Sequence, residues 1–465
     1  MNLRVWQREC IEQAVSQYKA GQPHFLCLAT PGAGKTLMAS ILAKRLISEN
    51  LIDLVVCITP SLIVSDDFRF ELEKQLGKKL DGKLGSIGKC LTYHSMLIED
   101  DLWSLFNEHR VFVIFDEIHH CSGSDIFNAN AWGQKIISDI KGKATFTLAL
   151  TGTPWRSDNV PIALSHYTGS GLVQCDYRYG LARAITDNVC RTPNITLIDN
   201  DRISLTESGS IKSFSSFKTL LKESDCSYQS LIESEALIEY MLKQADEKLN
   251  ILRLSDDRAG GLIVASSVSH AKSIHAVLTN RLGEKANKVT YLEPNAVSLI
   301  KQFKASNKKW IISVGMISEG TNIPRLKVCC YLTRVKTELY FRQVLGRVLR
   351  TNGMKSDKGY FYMPSEPTLS EYANRVNQDI PSANIVNRDI KFNTKSKDKK
   401  ERIKSTQFPP SHTISNYDFS FSNDLDPPIS SSSLSKEYID SLSINGLFKC
   451  FNLNLNLNLK NKKAC

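Results

Sequence analysis

The sequence predicts an α/β fold in which two parallel-sheet domains follow one another along the chain. Three observations carry that expectation. Short apolar runs with the length of buried strands alternate with stretches of helical apolar spacing, the pattern of a parallel sheet covered on both faces. A glycine-bearing loop, Ala29–Thr36 (ATPGAGKT), lies between the first such strand and the first long helix. The alternation fades near residue 165 and starts again near residue 256.

Residues 3–19 have the spacing of an amphipathic helix, with Val5, Ile11, Val15 and Tyr18 on one side and Arg4 and Gln7 as neighbours on one face. Phe25–Leu28 reads as a buried strand, and Leu37, Ile41, Leu42 and Leu46 mark the helix after the loop. Between them, Gly32 and Gly34 allow the backbone of Thr30, Pro31, Gly32, Ala33 and Gly34 to wrap a polyphosphate at a helix N-terminus. Lys35 is placed to reach the β- and γ-phosphates and the Thr36 hydroxyl to take a place on Mg²⁺. Ala29 stands at the first position of GxxxxGK[ST], the smallest possible departure from glycine. Further strands are expected at Leu54–Thr59, Lys89–Tyr93, Val111–Phe115 and Thr145–Leu150, with helices such as Asp66–Leu76 and Ala131–Ile140 between them. These make up a first domain over residues 1–165.

Residues 166–255 read as a connecting segment and mostly helical insert, polar over Asp199–Ser227 and helical over Tyr228–Leu254. The second domain, 256–375, has strand runs at Gly261–Ser266, Lys288–Leu292, Trp310–Val314, Lys327–Leu332 and Gly359–Met363. Its helices fall near Ser269–Leu282, Ala296–Ala305 and Thr337–Arg350, and it has no phosphate loop of its own. Residues 376–465 form a basic linker and a low-complexity tail, with eight basic and three acidic residues over Arg388–Lys404. The closing Asn/Leu alternation has strand period and fits an edge strand, a disordered tail, or a terminus left by truncation or a shifted reading frame. The residues do not choose among these.

The formal charge of +11 points to an anionic partner without identifying it. The twelve cysteines show no CxxC pair and no Cys/His cluster at zinc spacing, and several lie in apolar strand runs, a pattern suited to a reducing compartment. The N-terminus has no apolar core of signal-peptide length, and no run approaches the ~18 apolar residues that span a bilayer. A cytoplasmic protein with no membrane partner is expected.

Val111–Cys121 (VFVIFDEIHHC) ends an apolar strand in two adjacent carboxylates, about eighty residues after the phosphate loop. Asp116 is placed to hold the metal through water and Glu117 to orient and deprotonate an attacking water. His119 and His120 have no third ligand nearby in sequence, so a metal site of their own is not expected.

With these residues together, the chain resembles a helicase superfamily 2 motor of the DExH kind, in the style of type III restriction-enzyme and repair-type helicase cores. The resemblance implies two RecA-like domains, with DEIH (Asp116–His119) as the DExH box. It implies that His119, with Thr151, Gly152 and Thr153 of LTGTPWR, couples nucleotide state to domain closure. ITPS and TYHSM would place Pro60, Ser61, Thr92 and Tyr93 against a nucleic-acid backbone, and Leu3–Gln7 resembles the glutamine motif that reads adenine. In the second domain GLIVASSVSHA, with Ser266, matches motif IV. VGMISEGTNIP, with Gly320, Thr321 and Asn322, matches motif V, although Asn322 stands where this group usually has Asp. In KTELYFRQVLGRVLR the spacing puts Gln343, Arg347 and Arg350 on one helix face. The resemblance implies that they cross the cleft to the γ-phosphate, where an arginine finger is worth roughly 10³–10⁵ in rate.

The implied activity is an ATP- and Mg²⁺-dependent nucleic-acid helicase or translocase, with DNA favoured over RNA because the resemblance is to restriction and repair motors. The strand would be held mainly through phosphates, hence with little base specificity and strong salt dependence. Alternatives that share the motifs are a nucleic-acid-stimulated ATPase, an RNA helicase, and the motor subunit of a restriction or defence complex. In the last case a partner chain would supply the nuclease, since no PD…(D/E)xK signature is present. A catalytically dead scaffold fits poorly with intact Lys35, Asp116, Glu117 and Arg350. The Arg388–Lys404 run either adds phosphate affinity or is a solvated linker.

Overall fold

The computed structural model describes residues 3–153, 156, 160–169, 173–207, 210–317, 321–351 and 358–379, together with the two C-terminal strands 444–448 and 453–457. The first sheet contains β1 (His24–Ala29), β2 (Leu54–Thr59), β3 (Gly88–Thr92), β4 (Val111–Asp116) and β5 (Phe146–Thr151). After a short hairpin of β6 (His166–Tyr167) and β7 (Val173–Gln174), β8 (Tyr177–Tyr179) joins the same sheet. The order is β3-β2-β4-β5-β1-β8, with every pairing parallel. Runs such as LVVCIT and VFVIFD are buried almost throughout, as strands covered on both faces must be. The helices α1 (Val5–Lys19) and α2 (Lys35–Ser48) close one face through Trp6, Ile11, Met38 and Leu42. A second cluster that includes Val56, Ile58, Val113 and Phe115 closes the other.

Parallel pairing has a direct consequence for the site. The loop after β1, the carboxylates that end β4 and the Thr151–Thr153 turn that ends β5 all emerge at one end of the sheet. Ligands in open α/β sheets bind at that end.

The chain then forms β9 (Thr192–Asp199) and the antiparallel pair β10 (Ile203–Glu207) and β11 (Ser210–Phe214). The second sheet adds β12 (Gly260–Ala265), β13 (Ala286–Thr290), β14 (Trp310–Val314), β15 (Leu326–Leu332) and β16 (Lys358–Pro364). With β17 (Ile444–Phe448) at its edge, the order is β13-β14-β12-β15-β16-β9-β17, again parallel throughout. The fold is thus the expected pair of parallel-sheet α/β domains in tandem.

The segment between the domains differs from its sequence reading. Expected as mostly helical, it does hold more helix than strand, but it also supplies β8 to the first sheet and β9 to the second, strands the sequence reading did not place. In TPNITLID, Pro193 and Asn194 interrupt the apolar pattern, yet Ile195 and Ile198 enter the core because strands flank β9 on both sides. The single helix expected over Tyr228–Leu254 is two, Tyr228–Ile232 and Glu235–Arg253, the second capped by Ser234 accepting from Leu237 N. The stretch Ala131–Ile140 is α-helical to Lys135 and finishes in a π turn, Ile136–Ile140. Of the Asn/Leu alternation, Leu453–Leu457 forms β18, which runs parallel to β10. The Arg388–Lys404 run lies outside the described residues. The ten cysteines of the described residues are free thiols, and no described helix is long and apolar enough to cross a membrane.

Candidate active site

The phosphate loop owes its shape to two glycines. Gly32 (φ 84°) and Gly34 (φ 93°) take the left-handed conformation that L side chains resist, and Gly34 is the N-cap of α2. The first N–H groups of α2 therefore have no intrahelical partner and open onto the space in front of the loop. A Cβ on Gly34 would lie 2.9 Å from Gln7 Nε2, and one on Gly32 would lie 3.0 Å from Arg350 Cγ. The loop is braced from behind: Arg4 Nη1 donates to Ala33 O (2.6 Å), Gln7 Nε2 to Gly34 O (2.9 Å), and Thr30 N to Tyr179 O (3.0 Å).

In front of the loop, Lys35 Nζ donates to Glu117 Oε1 at 2.7 Å. Glu117 has φ 53°, a left-handed backbone that costs a non-glycine residue about 1–2 kcal/mol. That turn aims its carboxylate back at the loop. Gly152 N donates to Glu117 Oε2 (3.1 Å), and His119 Nδ1 lies 3.5 Å from the same oxygen. His119 Nδ1 is also 3.0 Å from Thr151 Oγ1, which accepts from Thr153 N and donates to Thr153 O. Burial alone would raise the Glu117 pKa. The Lys35 and His119 charges and the Lys35 and Gly152 hydrogen bonds outweigh burial and hold the carboxyl well below its usual range. Burial would likewise depress Lys35, but Glu117 and Asp116 beside it keep the ammonium above its ordinary value.

The second lobe faces this pair with the helix Glu338–Val348 and the residues just after it. Arg347 Nη1 donates to Thr321 O at 2.6 Å. Arg350 Nη1 donates to the same carbonyl (3.0 Å) and to Asn322 Oδ1 (2.9 Å). Burial pushes the Arg350 pKa down, opposed by the Glu117 and Asp116 carboxylates across the gap. The lobes meet closely, since a Cβ on Gly346 would stand 2.9 Å from the Pro31 ring. Between them is a cleft of about 380 Å³. Lys35, Thr36, Asp116 and Glu117 line it from one lobe, and Gln343, Arg347 and Arg350 from the other.

Arg4, Pro31, Gly32, Gly34, Pro60 and Asn322 also line the cleft. Gln7, expected to read adenine, is instead buried behind the loop, with Oε1 accepting from Arg4 N and Nε2 holding Gly34 O. Tyr93 is corrected as a strand contact: it is buried, its hydroxyl donates to Asp116 O (2.9 Å), and its ring stacks on Trp132. Thr92 is buried too and caps the turn Tyr93–Met96 through Ser95 N. Ser61 caps the helix Leu62–Leu76, and Ser266 Oγ lies 2.8 Å from His270 Nδ1. Thr321 is buried, and Gly320 lies outside the described residues. Val64, Asp67 and Phe68 of the helix Leu62–Leu76 join the lining although the sequence reading passed over them. An acidic pair in the second turn of a helix, Asp66–Asp67, reads as a solvated face unless the second lobe is known to stand opposite.

Comparison with known proteins bears on the family and the fold. Residues 1–156 match the family model described as type III restriction enzyme, res subunit. The chain carries a helicase superfamily 2 core. An uncharacterized protein of Mycobacterium tuberculosis is 31% identical over 394 residues, covering 80% of this chain and 63% of that protein. One of Mycobacterium leprae is 31% identical over 392 residues, covering 80% and 64%. The chain thus spans less than two thirds of the length of the curated relatives it matches. Among solved structures, a fragment described as an HsdR subunit of a type I restriction enzyme from Vibrio vulnificus aligns with TM-score 0.55 at 16% identity, over 80% of this chain and 65% of that one. The type ISP restriction-modification enzyme LlaBIII, solved bound to DNA, aligns with TM-score 0.51 at 12% identity, over 82% of this chain and 30% of that one. At such identities the two structures speak for the fold.

Proposed function

We propose that this superfamily 2 core is an ATP-driven translocase or helicase acting on DNA, turning over Mg²⁺·ATP in the cleft between its lobes. The observation that carries the reading is the composition of that cleft: a phosphate loop and two carboxylates on one wall, and Gln343 with two guanidinium groups on the other. The open N–H groups of α2, Lys35, Arg347 and Arg350 are complementary to a polyphosphate. Among the described residues no cluster of three or more His, Cys, Asp or Glu could hold a metal alone. Thr36 and Asp116 would therefore hold Mg²⁺ only together with phosphate oxygens, as suits an ion that binds through few protein ligands. Bound there, Mg²⁺ would neutralise charge on the transferring phosphate.

In this reading Lys35 leaves Glu117 for the phosphates, and the freed carboxylate orients a water and accepts its proton. Arg347 and Arg350 stabilise charge on the phosphoryl oxygens, and His119 with the Thr151–Thr153 turn, which touch Glu117, pass the state of that carboxylate to the lobes. Opening and closing then advances the lobes along a strand held by its phosphates. DNA is favoured because the family match is to a restriction-enzyme subunit and one fold relative was solved on DNA. The res-subunit match also favours a motor working in a restriction or defence assembly, with cleavage supplied by a partner chain.

ATP turnover measured side by side with single-stranded DNA, duplex DNA and RNA tests the reading. DNA is expected to stimulate turnover more than RNA, and Lys35→Ala to abolish it. Turnover indifferent to nucleic acid, or surviving Lys35→Ala, would contradict the proposal.

A further inference from the structure

We infer that Arg191, on the strap joining the lobes, positions the two cleft arginines and ties them to the phosphate loop; the inference rests on the nucleotide reading above. The strap starts at β8, where Tyr179 O accepts from Thr30 N of the loop. It passes through the short helix Leu181–Thr186 and brings Cys190 Sγ to 3.6 Å from Pro31 O. Cys190 also pairs with Arg350 in an antiparallel bridge, and Arg191 N donates to Leu349 O at 2.7 Å. The chain then enters the second sheet as β9. The route from one lobe to the other thus touches the phosphate loop and the backbone of Arg350 within two consecutive residues.

The Arg191 side chain is buried. Nη1 donates to Leu326 O (2.8 Å) and Val348 O (3.1 Å), and Nη2 donates to Pro324 O (3.1 Å). Val348 O belongs to the last turn of the helix bearing Gln343 and Arg347, whose final carbonyls have no intrahelical partner. Pro324 lies just beyond Thr321 and Asn322, whose oxygens accept from Arg347 and Arg350. One planar fork therefore fixes the turn from which Arg350 emerges and the end of the segment that seats both arginines. A lysine would bring charge to the helix end but not donors in that fixed plane. Arg191 does not line the cleft, so it is a positioning residue rather than a catalytic one.

The test is a cycle in single-turnover ATP hydrolysis with DNA, read together with equilibrium nucleotide binding. Arg191→Met should lower the rate about 10²-fold from misplaced arginines while nucleotide affinity, carried chiefly by the loop and Lys35, falls far less. In an Arg347→Ala/Arg350→Ala background the same change should cost nothing further, since its targets are already gone. Arg191→Lys should not restore the rate, and should Arg191→Met fail to fold, Arg191→Lys carries the same cycle. A wild-type rate in either Arg191 variant, or an equal fold loss with and without the two arginines, overturns the inference. Full turnover in Arg347→Ala/Arg350→Ala alone would instead overturn the nucleotide reading.

Discussion

Replacing Glu117 by Gln should separate binding from turnover and move them in opposite directions. In the structure Lys35 and Glu117 satisfy each other at 2.7 Å, with side chains only 11% and 22% exposed. A hydrogen bond between charged groups contributes about 1.5–3 kcal/mol to a folded state. Gln keeps an amide oxygen for Lys35 and loses only the charge, so about 1 kcal/mol of that contribution should go. Phosphates then compete with a weaker internal partner, and nucleotide affinity should rise about fivefold. Turnover should fall about 10²–10⁴-fold, because an amide accepts no proton from water. Equilibrium binding of a fluorescent ATP analogue and steady-state hydrolysis read the two effects separately. Weaker nucleotide binding combined with undiminished turnover would refute the reasoning. The pH dependence follows with a definite sign. Glu117 is held low, so its share of stability is present above the unfolded carboxylate value near about 4.3 and is lost as pH falls through the folded value. Lys35 is held high, so its share is present below about 10.4 and lost as pH rises through the folded value. Glu117→Gln should flatten the acid limb of the stability curve.

Two further outcomes are expected. His270 Nδ1 accepts from Ser266 N, and burial lowers its pKa to about 4, so stability should decline as pH falls from about 6.5 to about 4 while the unfolded chain takes up the proton first. Chemical denaturation across that range should show a shallower decline in His270→Gln. Gly346→Val should push the helix Glu338–Val348 away from Pro31, which already stands 2.9 Å from where a Cβ would be. Its kcat for ATP should fall well before nucleotide affinity does, and equal losses in both would argue against a lobe-separation effect.

Much of the first lobe is legible in the sequence because its strands are continuous apolar runs and its chemistry sits in short contiguous motifs. Gly32, Gly34, Lys35, Asp116 and Glu117 meet because parallel strands deliver them to one end of a sheet, which alternation alone predicts. What stayed hidden depends on contacts remote in sequence. Gln7 has the right spacing to face a nucleotide, but its amide is taken up by Arg4 N and Gly34 O, and periodicity says nothing of which partner a polar side chain finds. Tyr93 stands in a motif associated with strand contact, yet packing against Trp132 and the Asp116 carbonyl draws it inward. The strand Thr192–Asp199 hides behind Pro193 and Asn194, since its stability comes from the neighbours on either side. Arg191 gives no local signal at all: the carbonyls of Pro324, Leu326 and Val348 that accept from its side chain lie more than 130 residues further along the chain.

The central claim is that both lobes act on one nucleotide, and Arg350→Ala tests it most directly. Turnover with DNA should fall by about 10³-fold or more while the protein still binds nucleotide through Lys35 and the phosphate loop. An Arg350→Ala protein that hydrolyses ATP at the wild-type rate would contradict the account.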